Sequence, residues 1–158
     1  MNPLEHALDV ANRMRDALQA ELEEARQQRI FIRQLDVQGL FERARRRGEF
    51  NVRLAQLQDA LSGALTDGAV EIGVERITAD ILHTSGIFSA NKLAEGLSEL
   101  RASAQALQEI DGMNQILARR ALSCVRGYLA AMSPRASVYD RHGSINAEPT
   151  LAIARQVA

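Results

Sequence analysis

Few residues in this chain sit at spacings that could do chemistry. Asp80 and His83 are three apart, the separation at which two helical side chains share a face and could hold a metal. A di-metal helical bundle needs a second such pair and further inward carboxylates, and the sequence has none, so an ordinary surface pair is the expected reading. His6 beside Glu5, and His142 near Asp140, are equally isolated. No Cys/His spacing suits zinc, and no Asp-rich loop suits calcium. Cys124 is the single cysteine; it falls within a long helical stripe without an activating base nearby in sequence, so core packing is expected there. CxxC, GxSxG and glycine-rich phosphate-cradling motifs do not occur. No cofactor, metal or catalytic role is therefore expected.

Two polar features remain. Arg43, Arg45, Arg46 and Arg47 form a basic run flanked by Glu42 and Glu49. On a helix these arginines spread around the circumference, which favours a solvated face over a patch for nucleic acid or an acidic partner. Asn114 interrupts an otherwise apolar stripe; it either fixes register by finding a partner for its amide or occupies a mildly exposed position.

The elements that must carry these residues are helices. The 158 residues are 46% hydrophobic and 4% aromatic, with no Trp and three Pro, a composition that packs through Leu and Ala. A formal net charge of −1 argues against a protein devoted to neutralising polyanions or anionic membranes. Asn2-Pro3 predicts a helix start, and Leu4, Leu8, Ala11, Met14, Leu18, Leu22 and Ala25 carry one face of a helix to about Gln34. Asp36 caps a second helix whose face is read as Leu40, Ala44, Phe50, Leu54, Leu57, Leu61 and Leu65, with Thr66-Asp67-Gly68 as its stop. The weakly patterned 69–89 stretch suggests a short helix ending near Thr84-Ser85-Gly86.

From about Ala90 to Met132 the heptad spacing is strongest: Leu93, Leu97, Leu100, Ala104, Leu107, Ile110, Asn114, Leu117, Ala121, Val125, Tyr128 and Met132. A phase break is expected near Asp111-Gly112. The expected architecture is all-α: an elongated antiparallel bundle of three long helices, with room for a fourth short one, packed like a coiled coil over residues 1–133. Residues 134–158 are expected to form a flexible, partner-binding tail, because Val138, Ile145, Leu151, Ile153 and Val157 punctuate a Pro-, Gly- and Ser-containing segment. Neither a signal peptide nor a membrane-spanning run is visible, which implies the cytoplasm.

The order of these parts carries a resemblance. A helical hairpin around Leu35-Asp36-Val37 is followed by a long helix with Asp111-Gly112-Met113-Asn114-Gln115-Ile116-Leu117 and then by Val138-Tyr139-Asp140-Arg141-His142-Gly143. Asn114, Leu117, Tyr139 and Gly143 match the pattern of the FlgN family of flagellar type III export chaperones, which the chain resembles in layout over most of its length. The resemblance implies a cytoplasmic chaperone that binds C-terminal helical segments of hook-filament junction proteins, prevents premature assembly and delivers them to the export gate. It further implies Ile145, Leu151, Ile153 and Val157 as cargo contacts, and Tyr139, within Tyr-x-x-x-Gly143, as the contact to the gate. No nucleic acid or membrane insertion is implied. Two alternatives stand beside it: a generic coiled-coil adaptor acting through homodimerisation, and a helical nucleic-acid protein using Arg43 to Arg47.

Overall fold

The computed structural model describes residues 2–84 and 87–132. Every element among them is a helix: α1 (Pro3–Gln34), α2 (Val37–Ile72), α3 (Ala79–Thr84) and α4 (Phe88–Met132). The chain divides after Ala121, so the last turns of α4, 122–132, are described by themselves. The expected boundary at residue 134 lies outside the described residues.

The start of α1 follows from local chemistry. Asn2 Oδ1 accepts from the Leu4 N–H at 2.8 Å, while Glu5 reaches back to the Asn2 N–H at 3.4 Å, forming a capping box with Pro3 at the first helical position. The helix stops at Leu35, which takes a left-handed conformation (φ 54°) with its N–H bonded to the Ile32 carbonyl. Only Asp36 then separates it from α2, and the Asp36 side chain caps that helix by accepting from Gly39 N–H at 2.9 Å. So short a link forces an antiparallel hairpin, and α1 and α2 pack against each other along their lengths.

Thr66-Asp67-Gly68 does not end α2, contrary to the sequence expectation; the helix runs on to Ile72 and closes at Gly73, whose φ of 74° suits a left-handed cap. Packing outweighs the local turn signal. Gly68 is buried, and a Cβ there would lie 3.0 Å from Leu4 Cδ2 and 3.2 Å from Ile77 Cδ1. The glycine therefore gives Leu4 a seat against the α2 backbone. Asn2 Nδ2 to Glu71 Oε1 (3.0 Å) ties the same end of the hairpin.

The main core is apolar. Leu4, Ala7, Val10, Ala11 and Met14 of α1 meet Leu57, Leu61 and Ala64 of α2, Leu82 of α3, and Ala90, Leu93 and Ala94 of α4. Leu82 is completely buried, which explains why a helix as short as α3 is held. Farther along the hairpin a smaller cluster joins Leu18 and Ala25 to Leu107, with Leu22, Phe50, Leu54, Leu100 and Ile110 packed against it.

Contacts set α4 parallel to α1: Arg15 Nη1 donates to Glu99 Oε2 at 2.9 Å, and Asn114 bonds near Ala25. The Glu99 hydrogen bond raises the Arg15 guanidinium above its ordinary value. Along this seam Ser103 is half-buried and Ala104 exposed, so the consecutive three-residue steps fall at Leu97, Leu100 and Ser103. At Asp111-Gly112 the helix is unbroken, and burial passes from Ile110 to Asn114 while Met113 is exposed. The phase shift expected there belongs about two turns earlier.

Candidate functional site

The arrangement the structure assembles with most specificity is a polar layer across α1, α2 and α4. On α2 the inward positions step by three and four through Leu40, Arg43, Arg47, Phe50, Leu54, Leu57, Leu61, Ala64 and Gly68, all buried or half-buried. Heptad geometry thus turns Arg43 and Arg47 toward the hairpin interior, and Ala44, read from sequence as a core position, is exposed. Glu21 occupies the equivalent inward position on α1.

Glu21 is 4% exposed and Arg43 is 2% exposed. Arg43 Nη2 pairs with Glu21 Oε1, and its Nε donates to the Glu24 carbonyl at 3.2 Å. Glu21 Oε1 also accepts from Arg47 Nη1 at 2.6 Å, and Arg47 Nη2 donates to Asp111 Oδ2 of α4, again at 2.6 Å. Arg47 lies over the Phe50 ring, 5.4 Å from its centroid, which steadies the bridging guanidinium. Next to this chain, Asn114 Nδ2 donates to the Ala25 carbonyl at 2.7 Å and Asn114 Oδ1 accepts from Arg29 Nε at 3.3 Å. Two buried atoms, Arg43 Nη1 and Glu24 Oε2, have no hydrogen-bond partner among the described residues.

These contacts correct one reading of the basic run and settle the alternative left open at Asn114. Arg45 is solvated, with Glu42 and Glu49 beside it, and Arg46 reaches Glu24 on α1 at 3.2 Å. Arg43 and Arg47 instead cross the bundle, because charge-assisted pairing with Glu21 and Asp111 compensates their loss of water. Asn114, 2% exposed and bonded to α1, takes the register-fixing role. A slip of α4 by one heptad would keep Leu against Leu but would offer neither Asp111 to Arg47 nor Asn114 to Ala25. Sequence reasoning missed Glu21 and the inward turn of Arg43 and Arg47; counting back in threes and fours from Leu57 through Phe50 would have found the two arginines' orientation.

The other sequence candidates are scattered. Asp80 and His83 are both exposed on α3, and among the described residues no group of three or more His, Cys, Asp or Glu side chains could hold a metal ion. His6 is exposed, and Glu5 serves the α1 cap. Cys124 is exposed, which overturns its expected core packing: it lies one position short of half-buried Val125, off the seam. Val125 is half-buried, while Leu122, Tyr128, Leu129 and Met132 are exposed. Tyr139, Gly143, Ile145, Leu151, Ile153 and Val157, and the His142–Asp140 pair, lie outside the described residues. Among those described, no helix is long and apolar enough to cross a membrane.

The model of a family described as FlgN protein covers residues 2–147. Neither the curated proteins nor the solved structures contain a match to this chain.

Proposed function

The chain belongs to the FlgN family and is thus a flagellar export chaperone, and from that premise we propose that its cargo is the C-terminal helical segments of hook-filament junction proteins. The observation that carries this reading is the family match, which spans the hairpin, the long helix and the Tyr139–Gly143 element together. Such cargo segments are amphipathic helices made for packing between subunits, so before export they present an apolar stripe that self-associates unless something covers it. A helical protein in the cytoplasm supplies the substitute surface without nucleotide, metal or catalysis.

In this reading Leu151, Ile153 and Val157, with Ile145, coat the cargo helix. Tyr139, with Gly143, makes the contact to the export gate, where an amphipathic ring suits a small hot spot. Calorimetric titration with C-terminal fragments of the junction proteins from the same genome tests the cargo assignment. Micromolar or tighter binding that disappears when residues 145–158 are deleted supports it. An intact protein that binds none of the fragments overturns it and leaves a coiled-coil adaptor acting through homodimerisation, which sedimentation would reveal as a constitutive dimer.

A further inference from the structure

The polar layer that fixes the register of α4 also marks where its apolar grip ends. Leu93 and Leu107 are buried among hydrophobic side chains. Past Leu107 the only α4 residue buried among those described is Asn114, and Ile110, Leu117 and Ala121 are half-buried. What holds this stretch is therefore largely polar: Arg47 to Asp111 at 2.6 Å, and Asn114 to Ala25 and Arg29 at 2.7 and 3.3 Å. The Arg47–Asp111 pair is partly open to solvent, with side chains 29% and 36% exposed, which limits its strength and makes it sensitive to salt.

We propose that Asp111 and Asn114, seated on Arg47 and Ala25, form a catch whose release lets the 109–121 segment of α4 leave the hairpin and unwind, breaking its own backbone hydrogen bonds, while the part of α4 up to Leu107 stays packed. Beyond those backbone bonds, opening requires the loss of a few polar contacts and little apolar burial, so it occurs far more often than global unfolding. It bares Ile110 of α4 and the side of the Leu18, Ala25 and Leu107 cluster against which Ile110 packs while the catch is shut. Closing restores a unique register because only one alignment satisfies Asp111 and Asn114 together.

Hydrogen exchange read by mass spectrometry on the full chain in low salt tests the catch. In the unmodified protein, amides of residues 109–121 are expected to exchange at least tenfold faster than those of 93–104, roughly the separation of local from global opening. Asp111→Asn should speed exchange of 109–121 by about fivefold, the factor a partly exposed ion pair supplies, and leave 93–104 unchanged. High salt should reproduce part of that effect in the unmodified protein and little of it in the variant. Equal protection of the two segments before mutation would overturn the proposal, and so would an Asp111→Asn effect that is absent or spread evenly over both segments. The first comparison needs no variant, so the outcome does not depend on how well a mutant folds.

Discussion

Two layers of the α1–α2 hairpin are built on opposite principles. Near Leu4, Leu61, Leu82 and Leu93 every inward side chain is apolar, and a glycine lets helices approach closely. Around Glu21 the same heptad positions hold charge, and three helices are joined by directed bonds. An apolar core supplies free energy that is roughly proportional to area and tolerant of sliding, whereas a buried ion network contributes little net stability and accepts a single alignment. The molecule thus separates being stable from being in register, and assigns the two tasks to different layers.

That contrast can be broken most severely at Glu21. Glu21→Gln leaves the enclosed Arg43 charge without its counter-ion and is expected to lower unfolding free energy by about 3–5 kcal/mol, read from the urea midpoint. Replacing both partners, as in Glu21→Leu with Arg43→Met, should instead be near neutral or stabilising while broadening the NMR signals of α4, since the apolar substitute no longer specifies an alignment. In the apolar layer Leu93→Ala removes a fully buried side chain and should cost about 2–4 kcal/mol without changing register. A smaller loss, about 1–2 kcal/mol in the same urea titration, is expected of Asn114→Ala, which removes both hydrogen bonds that join this side chain to α1. Smallest, and opposite in sign, is Gly48→Ala: the glycine is exposed in mid-helix with nothing within 4 Å of an added Cβ, so the change should stabilise by about 0.5–1 kcal/mol in thermal melts. Gly68→Ala, at the close approach to Leu4, should destabilise, and the opposite signs at the two glycines sharpen the distinction between a packed and an open position.

Much of the fold was legible because capping and periodicity act locally. Asn2-Pro3 and Asp36 mark helix starts through their own side chains, and the leucines of α4 declare a seam. The stop misread at Thr66-Asp67-Gly68 shows the limit of local rules, since glycine there answers to Leu4, some sixty residues away in sequence. The arginines were misassigned for a related reason. A charged residue is usually outside, and only the side chains facing it from other helices, Glu21 and Asp111, make an inward position tolerable. Cys124 was read inward on the strength of a neighbouring stripe, although a single residue step turns a helical side chain by about 100°.

By itself the sequence determined the all-helical class, the hairpin, the long fourth helix and the resemblance to a family of export chaperones, because each rests on contacts within a few turns or on the order of motifs. Tertiary structure decided which charges lie inside, where α4's seam shifts and which bonds set its alignment. Those depend on which atoms of distant segments meet, and heptad-spaced leucines leave that choice open until polar groups such as Asp111 and Asn114 find their partners.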